Sequence, residues 1–241
     1  MSLSPEGPAV AHDLLAPLRD RYVVRPGRPV VIPPEPDGVV RAMPVILRLE
    51  RPAAARTPVL EAAAAAALAV CVDPPPEWVE PLQTWIASRI RKIARRARGA
   101  HWAAVADLPG VTVTVGEAQA RALLPGPVDE VPKIVSRLQI GGTELEPDEP
   151  GPPPPGVPVI WVNAALEMTV GKAAAQVGHA SMLYGAAFGV PDGCRFAVRE
   201  AGPDAWTSLV GTAEAGEAVA VRDAGFTEVA PGTTTSIATP P

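Results

Sequence analysis

The chain is poor in cysteine. Its 241 residues hold two, Cys71 and Cys194, far apart and without partner spacing. That excludes a disulfide framework and a thiolate zinc site; buried or incidental thiols are the simpler reading. Histidine is as scarce, and His12, His101 and His179 form no ligand pattern, so neither a metal nor a cofactor is expected. Long apolar runs are missing too. Nothing approaches the roughly 18 consecutive apolar residues of a membrane span, and the alanine-rich stretch from Leu60 to Val70 suits a packed helix. No basic start followed by an apolar core opens the chain, so no signal peptide is read and the expected location is cytoplasmic. Positive charge is also in deficit. The formal net charge is −5, unlike the usual nucleic-acid binder. From Val159 to Pro241, four basic residues (Lys172, Arg195, Arg199, Arg222) face eight acidic ones.

What is present supports a folded chain. An apolar content of 47% suffices for a core, and the length fits one large domain or two small ones. Residues 1–40 are proline-rich, without periodicity, and read as mostly irregular. Val45 to Leu49 reads as a strand. Thr57-Pro58 supplies an N-cap and a first-turn proline, opening an alanine-rich helix to Val70 that Asp73 to Pro76 ends. A second helix is predicted from near Glu77 toward Gly99, on the spacing of Leu82, Trp85, Ile86, Ile90 and Ile93. Its C-terminal half carries Arg89, Arg91, Lys92, Arg95, Arg96 and Arg98, six cations in ten residues. These form either a solvated face matched to the helix dipole or a nucleic-acid-binding surface whose phosphate contacts release counterions. Trp102 nearby is read as an apolar anchor.

Val111 to Val115 alternates and is β-branched at every position, a strand; Ala120 to Leu124 returns as its hairpin partner. Val131 to Gln139 reads as a short helix. Between Glu146 and Gly156, six prolines in eleven residues favour an extended, semi-rigid spacer that would hold two halves at a distance. Beyond it the order is strand (157–162), helix (171–187), strand (194–199), helix (203 to about 211, with 214 as an alternative end) and two strands (218–222, 234–238). The fold class read from this is α/β: a small mixed β-sheet flanked by helices in the C-terminal domain, preceded by a separate α+β N-terminal region. The corresponding partition is 1–40 irregular, 41–145 an α+β domain with the basic helix, 146–158 a linker and 159–241 the C-terminal domain. The first half also begins strand then helix. A decayed duplicate of the second is one reading, although no motif repeats.

The chemistry concentrates in the last third. Gly171-Lys172 opens a helix, where backbone N–H groups and the dipole favour an anion. Asp223 ends a strand ahead of a turn dense in hydroxyls. Singly, a solvated lysine and an ordinary strand-end acid are the commoner readings. Together, Gly171-Lys172-Ala173-Ala174-Ala175-Gln176-Val177-Gly178-His179-Ala180, Asp223-Ala224-Gly225-Phe226-Thr227 and Ala230-Pro231-Gly232-Thr233-Thr234-Thr235 resemble, in order and spacing, the motifs of the type-2 peptidyl-tRNA hydrolases, the archaeal and eukaryotic type. The resemblance covers Val159 to the C-terminus.

The resemblance implies hydrolysis of the ester between a peptidyl group and the 3′ ribose of tRNA, with peptidyl-tRNA as partner and a homodimer as a possible state. It places catalytic positions at Lys172, Asp223, Thr227 and Thr235, and substrate-binding positions at Gly171, Gln176, His179, Pro231, Gly232 and Thr233. The chemistry is consistent: an acid to orient water, a lysine to stabilise an oxyanion, and hydroxyls to position both, with no covalent nucleophile or metal required. His179, three residues after Gln176, reads as a hydrogen-bonded helix histidine packing the site. The sequence departs from the family at Val170, where a second lysine often stands, at Asn163 and Ala165, where an arginine and an acid are usual, and in a short 181–194 segment. Competing readings are a catalytically inactive RNA- or ribosome-binding protein that kept the fold, and a hydrolase or transferase acting on another small ester or nucleotide.

Overall fold

The computed structural model describes residues 13–22, 34–35, 37–223 and 228–241. The first half runs α1 (Ala16–Tyr22), β1 (Arg41–Arg48), α2 (Arg56–Ala69), α3 (Pro76–Ala87), β2 (Lys92–Ala97), α4 (Gly99–Val105), β3 (Gly110–Val115), β4 (Ala118–Leu123), the two-residue β5 (Gly126–Pro127) and the single turn α5 (Lys133–Ser136). The second runs β6 (Val159–Asn163), α6 (Val170–Phe188), β7 (Ala197–Ala201), α7 (Pro203–Glu214), β8 (Val219–Arg222) and β9 (Thr234–Thr239). The fold is mixed α/β, with two mixed sheets flanked by helices.

The two sheets follow one path. In the first, β1 pairs with β2 in parallel and with β4 antiparallel, and β3 closes the edge beside β4, giving the order β2-β1-β4-β3. In the second, β6 pairs with β7 in parallel and with β9 antiparallel, and β8 closes the edge, giving β7-β6-β9-β8. The crossover helices α2 and α6 occupy equivalent places. The two halves therefore repeat one arrangement of strands and helix where no sequence motif repeats.

Composition explains the layering. β1 is buried from Ala42 to Leu47, as a central strand covered on both faces must be. In α2 every residue from Ala62 to Leu68 is buried; a helix apolar on all sides belongs in the middle of a core. α2 and α6 pack against each other between the two sheets. α2 lies on β3 and β4 and reaches β7, while α6 lies on β8 and β9 and reaches β2. On the outer face of the first sheet, Ile46 and Leu123 pack with Val105 of α4 and Val135 of α5. On the outer face of the second, Ile237 packs with Ala213, Trp206 and Leu209 of α7. Small side chains permit the helix contact: a Cβ on Gly178 would lie 3.1 Å from the Ala67 Cβ, and Ser181 Oγ donates to Ala64 O at 2.8 Å.

Three expectations are corrected. Residues 77–99 are not one helix: α3 ends at Ala87, and 92–97 is strand β2. Trp85 Nε1 donates to Arg91 O at 3.2 Å and Ser88 Oγ to Trp85 O at 3.3 Å, which turns the chain back so that β2 can pair with buried β1. Parallel pairing outweighs the helical spacing of the apolar residues. Within 1–40, residues 16–22 are helical, because Leu14, Leu15 and Leu18 bury in the core; residues 1–12, 23–33 and 36 lie outside the described residues. The proline-rich segment does not space the halves apart, since one apolar cluster runs from Met43 and Ala64 through to Val177 and Val219. Ion pairs Arg56–Glu200 (2.9 Å) and Arg199–Glu61 (3.1 Å) also cross between them. Among the described residues, no helix is long and apolar enough to cross a membrane.

A shared core predicts a single unfolding event. Urea unfolding followed by far-UV circular dichroism and by tryptophan fluorescence should give coincident curves, and Gly178→Val should lower stability by about 2 kcal/mol or more through overpacking against Ala67. Two resolved transitions, or an unchanged midpoint in the variant, would contradict the shared core.

Candidate functional site

The start of α6 and the end of β8 meet. Thr169 caps α6: its Oγ1 accepts from Lys172 N at 3.2 Å and donates to Glu228 at 2.7 Å, while Thr169 N donates to the same carboxylate at 3.0 Å. A similar pair of bonds recurs in the first half, where Thr57 N and Oγ1 both donate to Asp148, at 2.9 and 2.7 Å; Thr57 is not the cap expected from the sequence, since α2 starts one residue earlier and its N-cap is Ala55. From the first turn of α6, Lys172 Nζ reaches Asp223 Oδ2 at 2.5 Å, with both side chains under 10% exposed. One turn later, Gln176 Nε2 donates to the same oxygen at 2.9 Å. Gln176 Oε1 in turn accepts from Thr235 Oγ1 at 2.6 Å, which fixes the orientation of the amide. Ser236 Oγ donates to Gln176 O at 3.3 Å and ties β9 to α6.

The turn after β8 holds the acid by its backbone. Asp223 N donates to Thr233 O at 2.9 Å, and Gly232 N donates to Asp223 O at 2.7 Å. Gly232 adopts φ +81°, which costs a glycine little. Pro231 and Gly232 are exposed, and Thr233 is half-buried. The turn therefore positions Asp223. Thr235 is fully buried, and its hydroxyl serves Gln176. Thr227, with Ala224 to Phe226, lies outside the described residues.

The helix start is not an open anion site. Val170 N donates to Thr143 O at 3.2 Å, Gly171 N to Thr143 Oγ1 at 3.1 Å and Ala173 N to Thr169 O at 2.9 Å. With Lys172 N on Thr169, the first-turn donors are spent within the protein, contrary to the expectation of N–H groups waiting for an anion. A Cβ on Gly171 would meet Thr143 Oγ1 at 2.9 Å, so glycine is needed there to admit the threonine. Sequence reasoning missed Thr143 and Glu228. Thr169 was readable as a cap residue before a helix, but nothing local points to partners so far away in the chain.

His179 follows Gln176 along α6, partly exposed. Its Nδ1 lies 3.3 Å from Nζ of Lys92, delivered from β2 of the other half. Lys92 also contacts Ile90 O at 3.4 Å and stands 5.1 Å from the centre of the Trp85 ring. Burial pushes the Lys92 ammonium down to about 7, opposed weakly by the Cys71 thiol. Burial, then the positive charges of Lys92 and Lys172, hold His179 well below the usual histidine range. Burial likewise pushes the Cys71 thiol up to about 12, which leaves it unreactive.

The remaining cations do not make a helical surface. Arg91 pairs with Glu35, Arg95 donates to Leu138 O at 2.8 Å, and Arg96 donates to Gly141 O at 3.0 Å and to Gln139. Arg89 is also engaged, and Arg98 is exposed. Two of the six, Arg95 and Arg96, pin residues 136–141 along the open edge of β2, a protection that edge strands need. A hollow of about 720 Å³ lies at the first half's counterpart of the site, between the start of α2 and the end of β3. Thr57, Pro58, Val113 and Val115 line it; neither Lys172 nor Asp223 does, and the charged cluster rather than the hollow is the place where chemistry converges. Among the described residues no group of three or more His, Cys, Asp or Glu side chains could hold a metal. No family model, no curated protein and no solved structure matches the chain.

Lys92 gives the fold a pH dependence of definite sign. An unfolded lysine titrates near 10.4 and the folded one at about 7, so between these values the unfolded chain binds more protons and stability rises with pH. Lys92→Met should therefore stabilise the protein at pH 6, by on the order of 3 kcal/mol, with the gain shrinking toward pH 10. Thermal melts across that range test it; a gain independent of pH would mean that Lys92 holds its proton equally well in the folded and unfolded chains, so that burial does not lower its titration.

Proposed function

We propose that the chain hydrolyses the ester linking a peptidyl (N-acyl-aminoacyl) group to the 3′ ribose of tRNA. The observation that supports this best is the convergence of Lys172, Asp223 and Gln176, residues from two separate motifs, into one hydrogen-bonded cluster. In this reading Asp223 orients and deprotonates the attacking water, and Lys172 stabilises the negative charge that develops on the carbonyl oxygen. Gln176, held by Thr235, keeps the carboxylate in place. Thr227 belongs to the set by resemblance. Pro231, Gly232 and Thr233 border Asp223, where an acceptor end would enter, and His179 lies further along the same helix. Peptidyl-tRNA is the proposed partner, and recycling of tRNA in the cytoplasm the proposed setting. A homodimer is not needed to cover α6, which already packs on α2.

Single-turnover cleavage of a labelled N-acyl-aminoacyl-tRNA tests the reading. Lys172→Ala and Asp223→Asn should each lower the rate by about 10²–10⁴. Each also strands a buried charge, at a cost of about 3–5 kcal/mol, so rates are compared per folded molecule. The double variant Lys172→Met with Asp223→Leu removes both charges and should recover much of the stability without activity. No cleavage by the intact chain over a broad pH and salt range would overturn the enzyme; salt-sensitive RNA binding would then favour an inactive binder.

A further inference from the structure

The contact between Lys92 and His179 joins an edge strand of one half to the central helix of the other. Its geometry is confined. A Cβ on Gly178 would fall 3.0 Å from Lys92 Cδ and 3.1 Å from Cε, so the lysine stem reaches His179 only because glycine precedes it. Around Nζ are Ile90 O, the Trp85 ring and His179 Nδ1. The titratable neighbours that act on the pair are Cys71 after α2, with Lys172 on the same helix as His179; β1 brings Met43, the register partner of Lys92, and α3 brings the Trp85 ring. No carboxylate is among these partners.

We propose that Lys92 is a positioning residue for the site on α6: through its hydrogen bond to Nδ1 it decides which ring nitrogen of His179 carries the proton, and so whether His179 offers a donor or an acceptor. The reasoning is donor arithmetic. An ammonium has only hydrogens to give, so Nδ1 must accept and the ring proton sits on Nε2, making Nε2 a donor. A neutral amine has a lone pair that can accept from Nδ1–H, and Nε2 then becomes an acceptor. Among the described residues the ring has no other hydrogen-bond partner, which leaves Nε2 as the nitrogen open to a further partner. Burial opposes the ammonium and the Trp85 face favours it. The balance falls near neutrality, so the exchange occurs where the protein works. The N-terminal half thus contributes more than packing to the candidate site. The consequence for turnover rests on the hydrolase reading; the tautomer does not.

The test is ¹⁵N NMR of the full chain labelled at histidine, with His179 assigned by its loss in His179→Gln. Between about pH 6 and pH 8.5 the ratio of Nε2–H to Nδ1–H should fall by about threefold or more. It should not change with pH in Lys92→Met, and Lys92→Arg, a donor at every pH, should keep Nε2–H throughout. In steady-state cleavage of acyl-tRNA, the inflection of kcat near pH 7 should vanish in Lys92→Met with KM little changed. If Lys92→Met does not fold, Lys92→Arg alone decides the matter. The same tautomer at every pH in the wild type, or the same pH response in wild type and variants, overturns the proposal. A tautomer that switches in a chain that cleaves nothing upholds the coupling and fails the hydrolase reading alone.

Discussion

The approach of α2 to α6 through alanine, glycine and serine sets the position of everything else. Ala64, Ala67, Gly178 and Ser181 let the helices touch through backbone as well as side chain. With the helices so close, each reaches the edge strand of the opposite sheet, β7 for α2 and β2 for α6. A bulkier seam would push the sheets apart, and both the cross-half ion pairs and the Lys92 contact would be lost with them. The packing is dense in the ordinary sense of protein interiors, and it makes two repeats into one cooperative body.

The candidate site is a second consequence of burial. A lysine and an aspartate under 10% exposed are tolerable only when their charges meet and their remaining polar atoms are satisfied. Here Gln176 is the keystone of that arrangement. Its amide nitrogen serves the carboxylate and its oxygen takes the Thr235 proton, so β8, β9 and α6 are locked to one another by a single side chain. The same demand for satisfied polar groups explains why Thr143 closes the first turn of α6. A segment from the other half is spent on capping the helix, and the charge at its start comes from Lys172 rather than from bare N–H groups.

Much of this was legible in the sequence, and the parts that were not share one cause. The alanine-rich α2, the β-branched β3 and the long α6 declare themselves by propensity and alternation, which are local. Lys172 and Asp223 were brought together by resemblance of motifs, since spacing alone places neither. β2 was not legible: its cations and the apolar spacing of Trp85, Ile86 and Ile90 run on from a genuine helix, and only pairing with β1 makes a strand of it. The caps from Thr143 and Glu228 and the Lys92–His179 contact join residues 28, 59 and 87 positions apart. No periodicity carries information across such distances. The repeated topology was hidden for a related reason, because one arrangement of strands and helix can be built from almost entirely different side chains.

The two repeats differ in what their central helices carry, and that difference accounts for a single charged cluster. The first turn of α2 and the cap of α6 each hold a threonine bonded twice to a distant acid, Asp148 in one half and Glu228 in the other. Beyond that point α6 places Lys172 and Gln176 toward β8 and β9, whereas α2 continues as buried alanine from Ala62 to Ala67. Past its first turn α2 has no cation or amide to match Lys172 and Gln176, and Glu117 after β3 is exposed. Among the polar groups that the first half buries, Lys92 is the one that meets the histidine of α6. The first repeat therefore bears on the candidate site from outside: it caps the helix through Thr143, packs it through Ala67, and meets its histidine with a lysine whose charge changes near neutral pH.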